Sequence, residues 1–248
     1  MDQSSPQLRP ETRTLSWEGC CNIRDLGGLP LEDGGETRFG VVVRADDVSL
    51  LSEAGWGAVA QYGIQRIVDL RHEDEPYEAP VELVRVPLLD HRSIQEINAR
   101  LAGVHEVTEW RRRNYLFFLD RFADRFGRVV SAIAETRGTV LVHCAGGVDR
   151  TGLVAALLLR DAGAGVETIA ADYAESEANW APAVDEWVAE APDEAERRTR
   201  QLLSVMPPQA MHDTMVELEA EHGSARAYLL AAGVEESALD ELRSRLRG

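Results

Sequence analysis

The chain has 248 residues, 44% hydrophobic and 28% charged, enough for one medium globular domain with a sizeable core; collagen-like, low-complexity and wholly disordered chains have other compositions. Its 43 acidic and 26 basic residues give a net charge of −17, and with no Lys in the sequence every fixed cation is Arg. Such a surface repels nucleic-acid phosphate and anionic lipid headgroups, whereas screening beyond about 8 Å still allows a local cationic pocket and a small anionic substrate.

Residues 1–13 read as a polar, disordered tail without the apolar stretch of a signal peptide, and residues 14–248 as a single domain. Residues 41–43 (Val-Val-Val) form a strand candidate. Residues 52–62 have a helical pattern that stops at Gly63. Residues 66–70 and 83–88 read as buried strands, the second ended by Pro87. Thr139–His143 is β-branched and continuous, the strongest strand pattern in the chain. The fifty residues before it are helical, with Phe122, Phe126, Val129 and Ile133 marking one face of a long helix; the more polar residues 93–113 read as a separate helix pair. Beyond Thr151 the chain is helical, broken at Gly163, Pro207-Pro208, Gly223 and Gly233. Strands alternating with helices predict an α/β fold, a central and mostly parallel sheet flanked by helices with a helical C-terminal part. The longest apolar run, residues 153–159, falls far short of the roughly 20 residues that span a bilayer. Three cysteines, Cys20, Cys21 and Cys144, are too few for a disulfide scaffold and have no metal-ligand spacing. The expectation is a cytoplasmic protein with reduced thiols, no metal and no cofactor.

The informative stretch is His143-Cys144-Ala145-Gly146-Gly147-Val148-Asp149-Arg150-Thr151-Gly152. It follows the strongest strand and opens an apolar helix. A loop closing onto a helix N-terminus aims backbone N–H groups at one point, where the helix dipole adds positive potential. Gly146 and Gly147 permit the tight path this needs. Cys144 lies under that cradle as a nucleophile, and Ala145, Gly146, Gly147, Val148, Asp149 and Arg150 become the phosphate-binding residues. Arg150 supplies a planar fork for two phosphate oxygens. Thr151 can donate its hydroxyl to the sulfur, and His143 fixes the loop backbone. A buried, inert Cys at a strand end is the competing reading for Cys144 taken alone.

This segment resembles the signature H-C-x5-R-[S/T] of the Cys-based protein tyrosine phosphatases, and more closely their atypical bacterial branch, the tyrosine phosphatase B type of mycobacteria, which carries an Asp directly before the Arg. Asn22-Ile23-Arg24-Asp25-Leu26-Gly27 is similar to the N-x-R-D-[LV]-G motif of that branch. Val43-Arg44 with Asp46, Asp69-Leu70-Arg71 with Glu75, and the C-terminal His222-Gly223-Ser224 through Tyr228 to Gly233-Val234 are similar to its other blocks. The resemblance covers the chain from about residue 15. It implies a phosphatase fold with a helical lid, here residues 88–115, and hydrolysis of a phosphotyrosine protein or a small phosphomonoester through a phosphocysteine. The branch commonly has Lys where this chain has Val148, and that Lys is linked to phosphoinositide headgroups; Val148 cannot supply the charge.

In the branch the loop Asp has been proposed as the acid, here Asp149; its alternative role is a structural carboxylate bonded to loop amides or to Arg24. Asp69, at the end of a strand on the same sheet edge, is the rival acid, or else a partner of Arg71 or Arg44; Asp90 comes next. Arg24 and Asp25 are expected to support the loop, the alternative being a surface turn. Arg111-Arg112-Arg113 reads as a solvated helix face or as a substrate-facing lid. Cys20 and Cys21 are expected to be buried beside Trp17, or to protect Cys144 by disulfide formation. The rival functions are a catalytically silent phosphate-binding module and a sulfurtransferase or arsenate reductase that uses a Cys loop. No Cys follows Cys144 to resolve an arsenate intermediate, and sulfurtransferase loops usually lack the Arg-Thr-Gly ending.

Overall fold

The computed structural model describes residues 12–72, 74–90, 92, 96 and 106–247. Most of the expected tail, and the expected lid between residues 91 and 105 apart from Arg92 and Glu96, lie outside the described residues. Arg13, at the end of the expected tail, is half-buried and pairs with Asp172 and Glu175.

Five strands, β1 (Arg24–Asp25), β2 (Val42–Ala45), β3 (Ile64–Asp69), β4 (Glu82–Arg85) and β5 (Thr139–His143), form one sheet in the order β1-β2-β5-β3-β4. Only β1 runs antiparallel to its neighbour; the other three pairings are parallel. The two-residue β1 has no periodicity of its own in the sequence and is made by pairing with β2. The strand expected at residues 83–88 ends at Arg85, before Pro87.

Side chains on successive strand residues point to opposite faces, and here each face has its own core. Val42, Val68, Val140 and Val142 face the larger cluster, with Phe126, Val129 and Leu157. Val43, Ile67 and Leu141 face a smaller one with Trp17 and Val59. The smaller core lies under α1 (Glu53–Tyr62), capped by the Ser52 hydroxyl and ended by Gly63 at φ 84°. The larger one is covered by α2 (Val107–Arg121), α3 (Ala123–Ala134), α4 (Asp149–Ala162) and α5 (Val166–Ala189), against which α6 (Glu194–Ser204) packs without entering the core, and by α7 (Pro208–His222), α8 (Ala225–Ala231) and α9 (Glu236–Leu246). The helix expected from the face Phe122, Phe126, Val129 and Ile133 is α3, where the last three are buried and Phe122 is the N-cap residue at which α2 ends. Residues 153–159 of α4 are buried on every side, which explains why that run lacks a polar face. No described helix is long and apolar enough to cross a membrane.

Register places the site. His143 at the end of β5 lies opposite Ala45 of β2 and Asp69 of β3. The residues that follow these three strands therefore share one edge of the sheet, its carboxyl edge, where open α/β sheets hold their ligands.

Gly127 on α3 marks the tightest helix contact: a Cβ there would overlap the backbone oxygen of Ala232 at the end of α8. In an exposed helix, Gly→Ala gains about 1 kcal/mol. Gly127→Ala is instead expected to lose roughly 1–3 kcal/mol by overpacking, read as a lower urea midpoint at unchanged slope.

Candidate active site

The loop between β5 and α4 is held from outside by its carbonyls. Ala145 O accepts from Asp47 N–H at 3.1 Å. Gly146 O accepts from Asn22 Nδ2 at 3.0 Å and from Trp180 Nε1 at 2.8 Å. Gly147 O accepts from Arg44 Nη2 at 2.7 Å. In a trans peptide the next N–H points opposite its carbonyl, so the amides turn away from these partners, toward the inside of the loop. Among the described residues, none of the N–H groups from Ala145 to Thr151 is taken by a protein acceptor. Gly147 makes the turn at φ 64°, where a Cβ would lie 2.6 Å from Ala45 O and 2.7 Å from Asp46 N; any larger residue meets both left-handed strain and backbone.

Cys144 is 2% exposed at the base of this loop. Arg150 is half-buried, donates to Leu70 O at 3.2 Å, and has no carboxylate partner among the described residues. This sets it apart from Arg24, Arg44, Arg71 and Arg111, each of which is paired. The Thr151 hydroxyl is buried without a hydrogen-bond partner; the expected bond to the Cys144 sulfur is not formed. Val148 is buried in the larger core, so its contribution to an anion is the backbone N–H.

Arg24 and Arg44 are fully buried and meet on Asp172 of α5. Arg24 Nε lies 3.1 Å from Asp172 Oδ1 and Arg44 Nη1 2.5 Å from Oδ2. Burial alone would raise the Asp172 carboxyl, but the charges of Arg24, Arg44 and Arg13 outweigh it and hold Asp172 well below the usual carboxylate range. Arg24 also donates to Asn22 Oδ1 at 2.6 Å, so both arginines reach the loop, one through Asn22 and one directly. The surface-turn alternative for Arg24 and Asp25 is thereby corrected: Arg24 supports the loop, and buried Asp25 accepts from Gly27 N–H, Gly40 N–H and the Tyr62 hydroxyl. Asp172 was missed in the sequence, where its signal is a lone carboxylate in the apolar stretch Ile169-Ala170-Ala171-Asp172-Tyr173.

Asp149, at the first position of α4, is bonded neither to loop amides nor to Arg24. Its Oδ1 accepts from Arg111 Nη1 and from the Tyr115 hydroxyl, each at 2.6 Å. Arg111 is 1% exposed, so the solvated-face reading holds only for its neighbours, Arg112 with Glu109 and Glu217, and Arg113 with Glu109. Asp69 is buried against Arg71, with Oδ1 3.2 Å from Nε and Oδ2 3.2 Å from Nη2, and it does not pair with Arg44. Asp90 lies 3.5 Å from Arg125. Cys20 packs with the Trp17 cluster. Cys21 is exposed as a residue rather than buried and donates to Asp46 at 3.2 Å; partial desolvation of the sulfur in that part-buried contact and the Asp46 charge push the thiol up to about 12.

His143 is buried, with Nε2 2.9 Å from the Tyr77 hydroxyl and 3.4 Å from Asp69 Oδ1. Burial pushes it down from 6.5 to about 4 against the pull of Asp69, so it is neutral in the folded protein. The unfolded chain binds this proton near pH 6.5 and the folded chain only near pH 4. Folding stability contributed at neutral pH is therefore lost as pH falls through that window, about 3 kcal/mol in all. Denaturant unfolding of His143→Gln at pH 7 and pH 4 is expected to show a pH loss smaller than wild type by that amount; equal losses would show that His143 is not the group responsible.

The model of the tyrosine phosphatase family matches residues 15–248. A tyrosine-protein phosphatase of Nostoc commune is 28% identical over 219 residues, covering 82% of this chain and 73% of its own. The triple specificity protein phosphatase of Mycobacterium tuberculosis is 28% identical over 191 residues, 64% of this chain and 67% of its own. A match that runs from the first strands through the loop to the last helix makes this chain a member of the tyrosine phosphatase family.

Proposed function

We propose that Cys144 is the nucleophile of this phosphatase, that Arg150 and the N–H groups of Ala145 to Asp149 bind the phosphoryl group, and that Asp149 is the general acid. The observation that carries this is the loop itself: among the described residues the carbonyls of Ala145, Gly146 and Gly147 are tied outward, the N–H groups from Ala145 to Thr151 are unshared, and Arg150, on the same loop as the buried thiol of Cys144, has no carboxylate partner. The chain is a Cys-dependent protein-tyrosine phosphatase by family, and its reaction runs through a phosphocysteine.

In the first step the Cys144 thiolate attacks phosphorus, the P–O bond to the tyrosine breaks, and Asp149 gives its proton to the leaving oxygen. In the second, water attacks the phosphocysteine, Asp149 takes the water's proton, and the S–P bond breaks to release inorganic phosphate and the thiolate. Arg150 spans the equatorial oxygens, where charge is spread in the transition state. The unbonded Thr151 hydroxyl is available to stabilise the departing sulfur. His143, neutral and enclosed, supports a structural role below the loop, and Asp69, occupied by Arg71, supports the same. A phosphotyrosine side chain is the preferred substrate, with other aryl phosphomonoesters next. A thiol nucleophile works only while reduced, which supports a cytoplasmic setting.

Cys144→Ser is expected to abolish turnover of a phosphotyrosine peptide. Arg150→Lys should lower kcat on the order of 10²-fold, because a point charge cannot match two oxygens at once; a variant within about threefold of wild type would place Arg150 outside the site. The pH–rate profile should be bell-shaped, since catalysis needs an ionised sulfur and a protonated acid together. Asp149→Asn should remove the limb at higher pH and cut kcat by about 10²- to 10⁴-fold for tyrosine leaving groups, and much less for activated aryl phosphates. An intact bell in Asp149→Asn that is lost in Asp69→Asn would move the acid to Asp69.

A further inference from the structure

Arg111 and Tyr115 lie one turn apart on α2 and converge on a single oxygen of Asp149, Oδ1. Two donors fill the two lone pairs of that oxygen. A proton carried by Asp149 therefore belongs on Oδ2. Asp149 is 42% exposed in its side chain, while Arg111 and Tyr115 are each 1% exposed. Oδ1 is thus held by two buried donors, while Oδ2 has no protein partner among the described residues and the side chain as a whole stays exposed.

We propose that Arg111 and Tyr115 are positioning residues for the acid step, holding Asp149 by Oδ1 so that Oδ2 delivers the proton to the leaving oxygen. This rests on the reading of Asp149 as the acid. Both partners are themselves fixed. The Tyr115 hydroxyl accepts from Arg111 Nη1 at 3.0 Å and lies 2.8 Å from the Tyr173 hydroxyl. Its one proton goes to Asp149, so Tyr173 is the donor in that pair. Burial pushes the Tyr115 hydroxyl well above its ordinary 10, which keeps it a donor across the working range. The remaining nitrogens of Arg111 are anchored on backbone carbonyls, Nη2 on Leu203 O at 2.7 Å and Nε on Val205 O at 3.0 Å. The guanidinium plane is therefore clamped between the end of α6 and the acid. A Lys at 111 could not span these partners, because an ammonium presents its donors from one point.

The test is steady-state kinetics on two substrates, a phosphotyrosine peptide and an activated aryl phosphate whose leaving group needs no proton. Tyr115→Phe keeps the packed ring and removes only the hydroxyl. It is expected to lower kcat on the peptide about 10-fold, to change the activated substrate less than about 2-fold, and to leave KM unchanged. Arg111→Lys should act in the same direction. In an Asp149→Asn background Tyr115→Phe should have no further effect, since a residue acting through the acid has nothing left to position. Equal losses on both substrates, or additivity with Asp149→Asn, would overturn the proposal and make the cluster part of the scaffold. A loss in Asp149→Asn that is the same for both leaving groups would overturn the acid reading itself, and the inference with it.

Discussion

The carboxylate of Asp172, buried between Arg24 and Arg44, is the interaction on which the active loop depends. Burying three charged groups is costly unless each finds its partners. Here Arg24 and Arg44 share the two oxygens of Asp172, further donors go to Asn22, Ser176 and Gly147 O, and of the six guanidinium nitrogens Arg44 Nε is left without a partner among the described residues. The cluster thus converts a charge pairing into a fixed position for the loop carbonyls. Fixing the carbonyls fixes the amides, and the amides are what an anion meets. Removing the carboxylate would leave two buried guanidinium groups uncompensated and the loop untethered on one side.

The absence of Lys takes on a structural meaning in this setting. Arg24, Arg44, Arg71 and Arg111 each bind several acceptors at once from a buried position. A planar guanidinium does this with donors set in a fork, and it stays charged when desolvated. Arg150, by contrast, has no carboxylate partner among the described residues, which supports its proposed role toward a phosphoryl group. The overall charge of −17 is compatible with an anionic substrate because Arg150 and the unshared N–H groups of the loop supply a local positive potential, and more distant charges are screened.

What was legible in the sequence is what is local. Thr139–His143 stands in the structure as its pattern predicts, because four consecutive β-branched or apolar residues before His143 favour a buried strand. The loop after it was legible because glycine, helix N-terminus, Cys and Arg fall within ten residues. The partners of these residues were not. Arg24 and Asp172 are 148 positions apart, and Arg111 and Asp149 are 38 apart; no periodicity links such pairs. Arg111 was misread since its neighbours Arg112 and Arg113 are solvated, and a run of three like residues hides the one that turns inward. Val148 was read for the charge it lacks, although its side chain belongs to the core.

The tether from Trp180 Nε1 to Gly146 O also bears on the order in which the protein comes into being. The loop is synthesised 34 residues before the indole that holds it, and 22 residues or more before Asp172. A nascent chain that has just completed the nucleophile and its arginine has neither clamp. Asn22, Arg44 and Asp47 precede the loop and can hold its carbonyls at once, but the indole and the carboxylate that fixes Arg24 and Arg44 arrive only with α5. The full set of tethers is therefore present only in a chain that has been made through α5, so the loop is completed by a segment that follows it in sequence.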